Sequence, residues 1–200
     1  ASHLKPAVDM SVLGIDFGTS NSGAAVAAAG EARLVPLEPG KETLPTAIFL
    51  DFSTRETLVG SAAVAAMING RDGRFMRALK SVLGTSLARE KRQFMNRRLT
   101  LLEIVAEFLA EVRERVARAD GKEHRRVVAG RPVHFHSADA GRDAQAAADL
   151  ADCYRMAGFD EVRFLNEPEA AAWAAGPAQG LSLVVDIGGG TSDFTLFETD

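Results

Sequence analysis

The sequence predicts an α/β fold built in layers, with some of its strands paired in parallel. Three observations carry that reading. Strand-like and helix-like stretches alternate through the second half of the chain. Two apolar strands, one near each end, run into a turn of the form Asp-x-Gly: "VLGIDFGTSNSGAAVA", residues 12–27, and "LVVDIGGGTSDFTLF", residues 183–197. The 200 residues are 46% hydrophobic and 25% charged, which suits a globular protein with a sizeable core.

In chain order, residues 12–17 and 22–29 read as two strands around a tight loop, and Gly30 turns the chain into another short strand. "LEPGKETLPT" is a loop rich in proline and glycine. "AIFLDFSTRETLVG" alternates as a hairpin does, turning at residues 53–55. "SAAVAAMING" predicts a short helix with Ser61 as its N-cap and Gly70 as its stop. "RFMRALKSVLG" predicts a second short helix ending at Gly84, and the basic stretch from Arg89 to Arg98 reads as loop.

Thr100 opens the clearest helix. Thr100-x-x-Glu103 is a capping box, Leu101, Val105, Phe108, Val112 and Val116 form one apolar stripe, and Gly121 ends it. "RRVVAG" is a buried strand and "AGRDAQAAADLADCYRMAGF" an alanine-rich helix stopping at Gly158. "EVRFL" is a strand, "EPEAAAWAAG" a helix, and a hairpin closes the chain. No repeat of fixed short period is present.

Charge and cysteine use narrow the function classes. Lys plus Arg is 23 and Asp plus Glu is 27, a net charge of −4. That balance argues against a general binder of nucleic acid or anionic membrane. The one cysteine, Cys153, cannot form an internal disulfide, so the cytoplasm is the expected compartment. The opening "ASHLKPAVDM" lacks the apolar core of a signal peptide, and residues 1–9 read as a tail or a vector-derived segment. The final "FETD" follows a strand directly, which reads as a piece of a longer protein.

The two Asp-Gly turns have the parts of a phosphate site. Glycines let backbone N–H groups approach a phosphate chain, hydroxyls add donors, and an aspartate at a strand end can hold Mg2+ through water. The first turn offers Asp16, Gly18, Thr19, Ser20 and Asn21; the second offers Asp186, Gly188, Gly189, Gly190, Thr191, Ser192 and Asp193. No Gly-Lys-Ser/Thr follows either, and the glycines open a strand rather than a helix, so neither is a P-loop or a dinucleotide fingerprint. One such turn alone is a common tight hairpin. Two with the same grammar, each after an apolar strand, favour phosphate binding over that plain hairpin.

"GIDFGTSNS" and "VVDIGGGTSDFTLF" resemble the two phosphate loops of the actin, sugar-kinase and heat-shock-chaperone superfamily. "FLNEPEAAAWAAG", residues 164–176, is similar to the connecting helix of DnaK-type chaperones, the heat-shock protein 70 family, and "RALKSVLG", residues 77–84, to a lysine-bearing segment of the same chaperones. The wording is closest to the YegD-like branch, judging also by "LPTAIFL".

The resemblance implies an actin-like ATPase (ribonuclease H-like) fold. Residues 10–180 would form lobe I, with a core of residues 10–46 and 98–180 and a smaller subdomain, 47–97, inserted between. Residues 181–200 would be the first hairpin of lobe II. It implies ATP/ADP and Mg2+ as cofactors. Asp16, Asp186 and Asp193 would hold the metal. Gly18, Thr19, Ser20, Asn21, Gly188, Gly189, Gly190 and Thr191 would hold phosphates. Lys80, Glu167, Asp186 and Thr191 would be catalytic, with Arg77 the fallback for Lys80. It further implies unfolded clients and co-chaperones as partners through other parts of the protein, and little ATPase activity for this piece alone. Pro132 matches a proline that relays nucleotide state in the family; Arg142 is a shifted candidate for the arginine of that relay. "RPVHFH" departs from the family's Val-Pro-Ala-Tyr-Phe, and Ser20 stands where a second threonine is usual.

Three other readings stand beside this one: a sugar or acetate kinase of the superfamily, an MreB-type filament protein, and a nucleotide sensor that does not hydrolyse. His134 and His136 alternate as metal ligands can, without a third ligand at suitable spacing. Cys153 is expected in the core, and Trp173 is expected to pack its helix against a neighbour.

Overall fold

The computed structural model describes residues 12–28, 30–136, 139–176, 180–187 and 192–199. Residues 1–9 therefore lie outside it, as do Gly188, Gly189, Gly190 and Thr191; Asp186, Ile187, Ser192, Asp193 and Thr199 are described by backbone alone.

A six-stranded mixed sheet organises the chain. Its strands are β1 (Val12–Phe17), β2 (Asn21–Ala28), β3 (Glu31–Leu34), β4 (Thr43–Pro45), β10 (Arg126–Arg131) and β11 (Glu161–Asn166). The spatial order is β11-β10-β1-β2-β3, with β4 also on β2. β1–β10 and β10–β11 pair in parallel, while β2 is antiparallel to β1, β3 and β4. The parallel pairs need helical crossovers. These are α2 (Leu101–Asp120), which leads into β10, and α3 (Ala140–Met156), between β10 and β11.

Helix α2 forms as its sequence requires. The Thr100 side chain accepts from the Glu103 amide at 3.1 Å, the Glu103 carboxylate accepts from the Thr100 amide at 2.6 Å, and Gly121 ends the helix at φ 72°. Its apolar stripe is buried, Leu102, Ile104 and Leu109 included, and Phe108 meets Phe17 of β1 with ring centroids 5.7 Å apart. α3 packs along α2. Cys153 lies in that seam, fully buried, its thiol donating to the Leu102 carbonyl at 3.5 Å; burial pushes the thiol far up.

A second, three-stranded sheet has the order β6-β5-β7, from β5 (Ala47–Asp51), β6 (Thr57–Val59) and β7 (Gly73–Arg77). The β5–β6 turn is held by Asp51, whose carboxylate accepts the Ser53 and Thr54 amides at 2.9 and 2.8 Å. α1 (Ser61–Ile68) packs on β5.

Several local expectations fail here. The N-cap of α1 is Gly60, at φ 72°, and not Ser61. Ser61 is the first helical residue, and its amide and hydroxyl both donate to Glu38. Residues 74–84 are not a helix. Arg74–Arg77 belong to β7, where Phe75 pairs with Phe49, and a short 3-10 turn, Leu79–Val82, follows. A remote strand outweighs the local apolar spacing. Arg92–Phe94 and Arg97–Leu99 form β8 and β9, a small hairpin where loop was expected; Met95 makes its turn at φ 52°. Phe94, buried in the core, supplies the reason. Trp173, in α4 (Glu167–Ala175), is 78% exposed among the described residues rather than packed.

The last hairpin, β12 (Gly180–Ile187) with β13 (Ser192–Thr199), pairs only with itself among the described residues. Leu181, Leu183, Val185, Phe194 and Leu196 are exposed on it.

Candidate functional site

Parallel strands end on the same side of their sheet, and α/β proteins place ligands at those carboxyl ends. Here Ile15 pairs with Ala129 and Gly130 with Leu165, so Asp16 is level with Gly130, one step before Asn166 and Glu167. Asp16 is exposed at this edge. Glu167 starts α4, with Pro168 in the first turn, where a carboxylate suits the helix dipole.

Gly130 fixes how close these groups come. A Cβ built on it would lie 3.5 Å from Glu167 Cγ, 3.8 Å from the Ile15 carbonyl oxygen and 3.9 Å from Asp16 Oδ1. The strand backbone is therefore the floor between two carboxylates, bare of any side chain. Tyr154 of α3 lies within electrostatic reach of both. Burial, then the Asp16 charge and in smaller measure that of Glu167, push its phenol well up, so it stays neutral. Its hydroxyl is buried and has no hydrogen-bond partner among the described residues.

Lys80 comes in from the other side. It sits on the 3-10 turn after β7, and its ammonium donates to Glu167 Oε1. Their side chains are 11% and 19% exposed, so this ion pair is shielded from most of the solvent. The turn is entered through Ala78 at φ 53° and left through Gly84 at φ 73°. Arg77 is instead an exposed residue at the end of β7, paired with Ala47.

The first Asp-Gly turn is closed tightly. A Cβ on Gly18 would lie 2.3 Å from the Asn21 carbonyl oxygen, so only glycine fits. Thr19 is half-buried; Ser20 and Asn21 are exposed. The Ser20 carbonyl accepts the Thr46 amide at 2.8 Å, and the Ser22 and Thr46 hydroxyls meet at 2.8 Å in a buried contact. The turn is thereby tied to the segment entering β5.

The closing hairpin repeats the grammar. Each ladder ends on a matching pair, Phe17 with Ser22 and Ile187 with Ser192, and each aspartate stands one residue before its strand's end. Asp186 is paired with Asp193 across the ladder. The glycines and Thr191 of this second turn lie outside the described residues.

His134 and His136 do not share a site. His134 Nδ1 lies 3.8 Å from Asp143, while His136 Nε2 meets the Leu83 carbonyl at 2.8 Å. Among the described residues no group of three His, Cys, Asp or Glu side chains could hold a metal. Pro132 is buried, and Arg142 is exposed in the first turn of α3. Gly130, Tyr154 and the Ser22–Thr46 contact were not legible beforehand. Only strand register and packing bring them to the site.

The Hsp70 protein family profile matches residues 12–99 and 88–200. The chain belongs to the Hsp70 family. This Hsp70-family chain is 31% identical over 200 residues to a chaperone protein HscA homolog of Rickettsia bellii, covering 92% of this chain and 32% of the relative. It is 31% identical over 194 residues to the chaperone protein DnaK of Metamycoplasma hominis, covering 94% and 30%. It thus spans about a third of the length of these curated relatives. The family implies an actin-like ATPase fold, with which the mixed α/β architecture agrees, and its ATPases use ATP or ADP with Mg2+. No helix among the described residues is long and apolar enough to cross a membrane.

Proposed function

We propose that this chain is the first part of the nucleotide-binding domain of an Hsp70-type protein of the YegD-like branch, binding ATP with Mg2+ for hydrolysis. In this reading residues 10–180 are lobe I, with residues 47–97 as the inserted subdomain, and residues 181–200 begin lobe II. The observation that carries it is the convergence of Asp16, Glu167 and Lys80 at the carboxyl ends of the parallel strands, around the bare backbone of Gly130.

The residues fit the group. Mg2+ prefers carboxylate oxygens while keeping waters, and the side chains of Asp16 and Glu167 both flank Gly130, within 3.9 and 3.5 Å of where its Cβ would stand. Asp16, with Asp186 and Asp193 from the closing hairpin, would hold the ion, mostly through water. The ion, when bound, supplies positive charge against the charge that develops on a transferring phosphoryl group. The tight Gly18 turn offers backbone amides and the Thr19 and Ser20 hydroxyls to phosphate oxygens; the second turn offers those of residues 188–191. Glu167 would orient an attacking water, and Lys80 would neutralise charge on the terminal phosphate. Peptide clients and co-chaperones would engage other parts of the protein, in the cytoplasm.

The test is Mg2+-dependent ATP turnover by the full-length protein beside Asp186→Asn and Lys80→Ala. Loss in both supports the clamp with Lys80 inside it. Activity surviving Lys80→Ala alone keeps the clamp and removes the lysine. No wild-type turnover with ATP still bound tightly favours a sensor that does not hydrolyse.

A further inference from the structure

Lys80 reaches Glu167 from a turn of four residues, Leu79–Val82, too short to hold its own geometry. Something else must fix it. Two contacts do so at its exit. The Leu83 carbonyl is 2.8 Å from His136 Nε2. A carbonyl oxygen can only accept, so Nε2 carries the proton and donates. One residue on, the Gly84 amide donates to Asp149 Oδ2 at 2.8 Å.

Both anchors are themselves held. The His136 and Phe135 amides donate to Asp143 Oδ1 at 3.2 and 2.5 Å, which ties the strap before α3 to the helix's first turn. Asp149 is fully buried in α3, and its other oxygen accepts from Arg89 at 2.5 Å and from Gln145 at 2.8 Å. Gly84 lies so close to α3 that a Cβ on it would stand 2.4 Å from the Arg142 carbonyl oxygen. The link to Lys80 is direct, because the amide of Leu83 donates back to the Lys80 carbonyl at 3.3 Å.

We propose that His136, seconded by Asp149, is a positioning residue for Lys80: its imidazole clamps the exit of the lysine's turn and so sets the ammonium on Glu167. The role of the clamp in turnover rests on the function proposed above; its effect on Lys80 does not. His136 is thereby accounted for without a metal. The strap after β10 and the lysine's turn are joined through this hydrogen bond.

Two substitutions separate the hydrogen bond from the bulk of the ring. His136→Gln keeps a donor at a similar reach, and His136→Phe keeps the ring without one. The first readout is the rate at which an amine-acylating reagent labels Lys80, followed by peptide mass spectrometry, with exposed Lys122 as the internal reference. His136→Phe should raise Lys80 labelling about fivefold relative to Lys122, as expected for one lost neutral hydrogen bond, and His136→Gln should restore protection. Equal labelling in wild type and His136→Phe, both folded by thermal melting, overturns the clamp. So does equal gain in both variants.

The second readout is ATP turnover of the full-length protein. His136→Phe should lower kcat with KM little changed when Lys80 is present, and have no effect in a Lys80→Ala background. An equal loss in both backgrounds overturns the positioning role. Full turnover in Lys80→Ala alone retires the lysine's catalytic role, while the labelling result still judges the clamp.

Discussion

Replacing Gly130 with alanine should strengthen the fold and weaken the site. The new methyl would meet Glu167 Cγ at 3.5 Å, the Ile15 carbonyl oxygen at 3.8 Å and Asp16 Oδ1 at 3.9 Å, all ordinary contact distances. Gly130 lies inside β10, paired with Leu165 and without a positive φ, so its backbone conformation is one that alanine can adopt. With no clash, the main effect on stability is the smaller entropy of the unfolded chain, about 0.4–1 kcal/mol in favour of folding. For a chain of this size that raises Tm by about 1–4 °C. The same methyl fills the space between the two carboxylates. Losing one water-mediated contact of about 1.5 kcal/mol there weakens Mg-nucleotide binding roughly tenfold. Thermal melting of the chain and calorimetric titration of the full-length protein with Mg-ADP check the two halves. A fall in Tm would refute the steric argument. Unchanged affinity would show that the ligand does not use the gap over Gly130.

Thr100→Ala removes the side-chain acceptor of the α2 capping box and should cost about 1 kcal/mol, read as a drop of about 2–4 °C in Tm; Thr100→Ser should recover most of it. Acid should loosen the strap before α3. The His136 amide, then the Phe135 amide, with His134 and Arg131 nearby, hold the Asp143 carboxyl below its ordinary value of 3.8. Its folded value is depressed, so its contribution is complete above the ordinary value and fades as pH falls through the lower, folded one. Urea midpoints of wild type and Asp143→Ala should therefore differ most from pH 7 to about pH 5, and converge as pH falls through the ordinary value and then the lower, folded one. A gap that persists at the acid end would show that Asp143 acts by packing rather than by charge.

The site was legible where chemistry is written in contiguous residues. Asp16 with Gly18 announces itself by turn rules that need no distant partner, while Glu167 was read from its resemblance, in a helix start that Pro168 suits. Lys80 too was legible only through resemblance. The local pattern around it suggested a helix, while the actual geometry is set by β5, a strand more than twenty residues earlier that claims Arg74–Arg77. The β8–β9 hairpin was hidden for a similar reason. Its turn uses Met95 at φ 52°, and no glycine marks it. The two histidines were visible as a pair but not as opposites, because their partners, Asp143 and Leu83, lie on different segments. Gly130 carries no local sign of its place; parallel register alone brings it between Asp16 and Glu167.

The chain's single thiol has a practical consequence. Cys153 is sealed between α2 and α3, and burial keeps it protonated. A thiol-reactive dye can reach it only when those helices part. Its labelling rate in mild denaturant is then a clock for opening of that seam. In the native protein the same silence leaves a clean background. A reporter cysteine placed at Trp173, already facing solvent, could be read without first removing the native one.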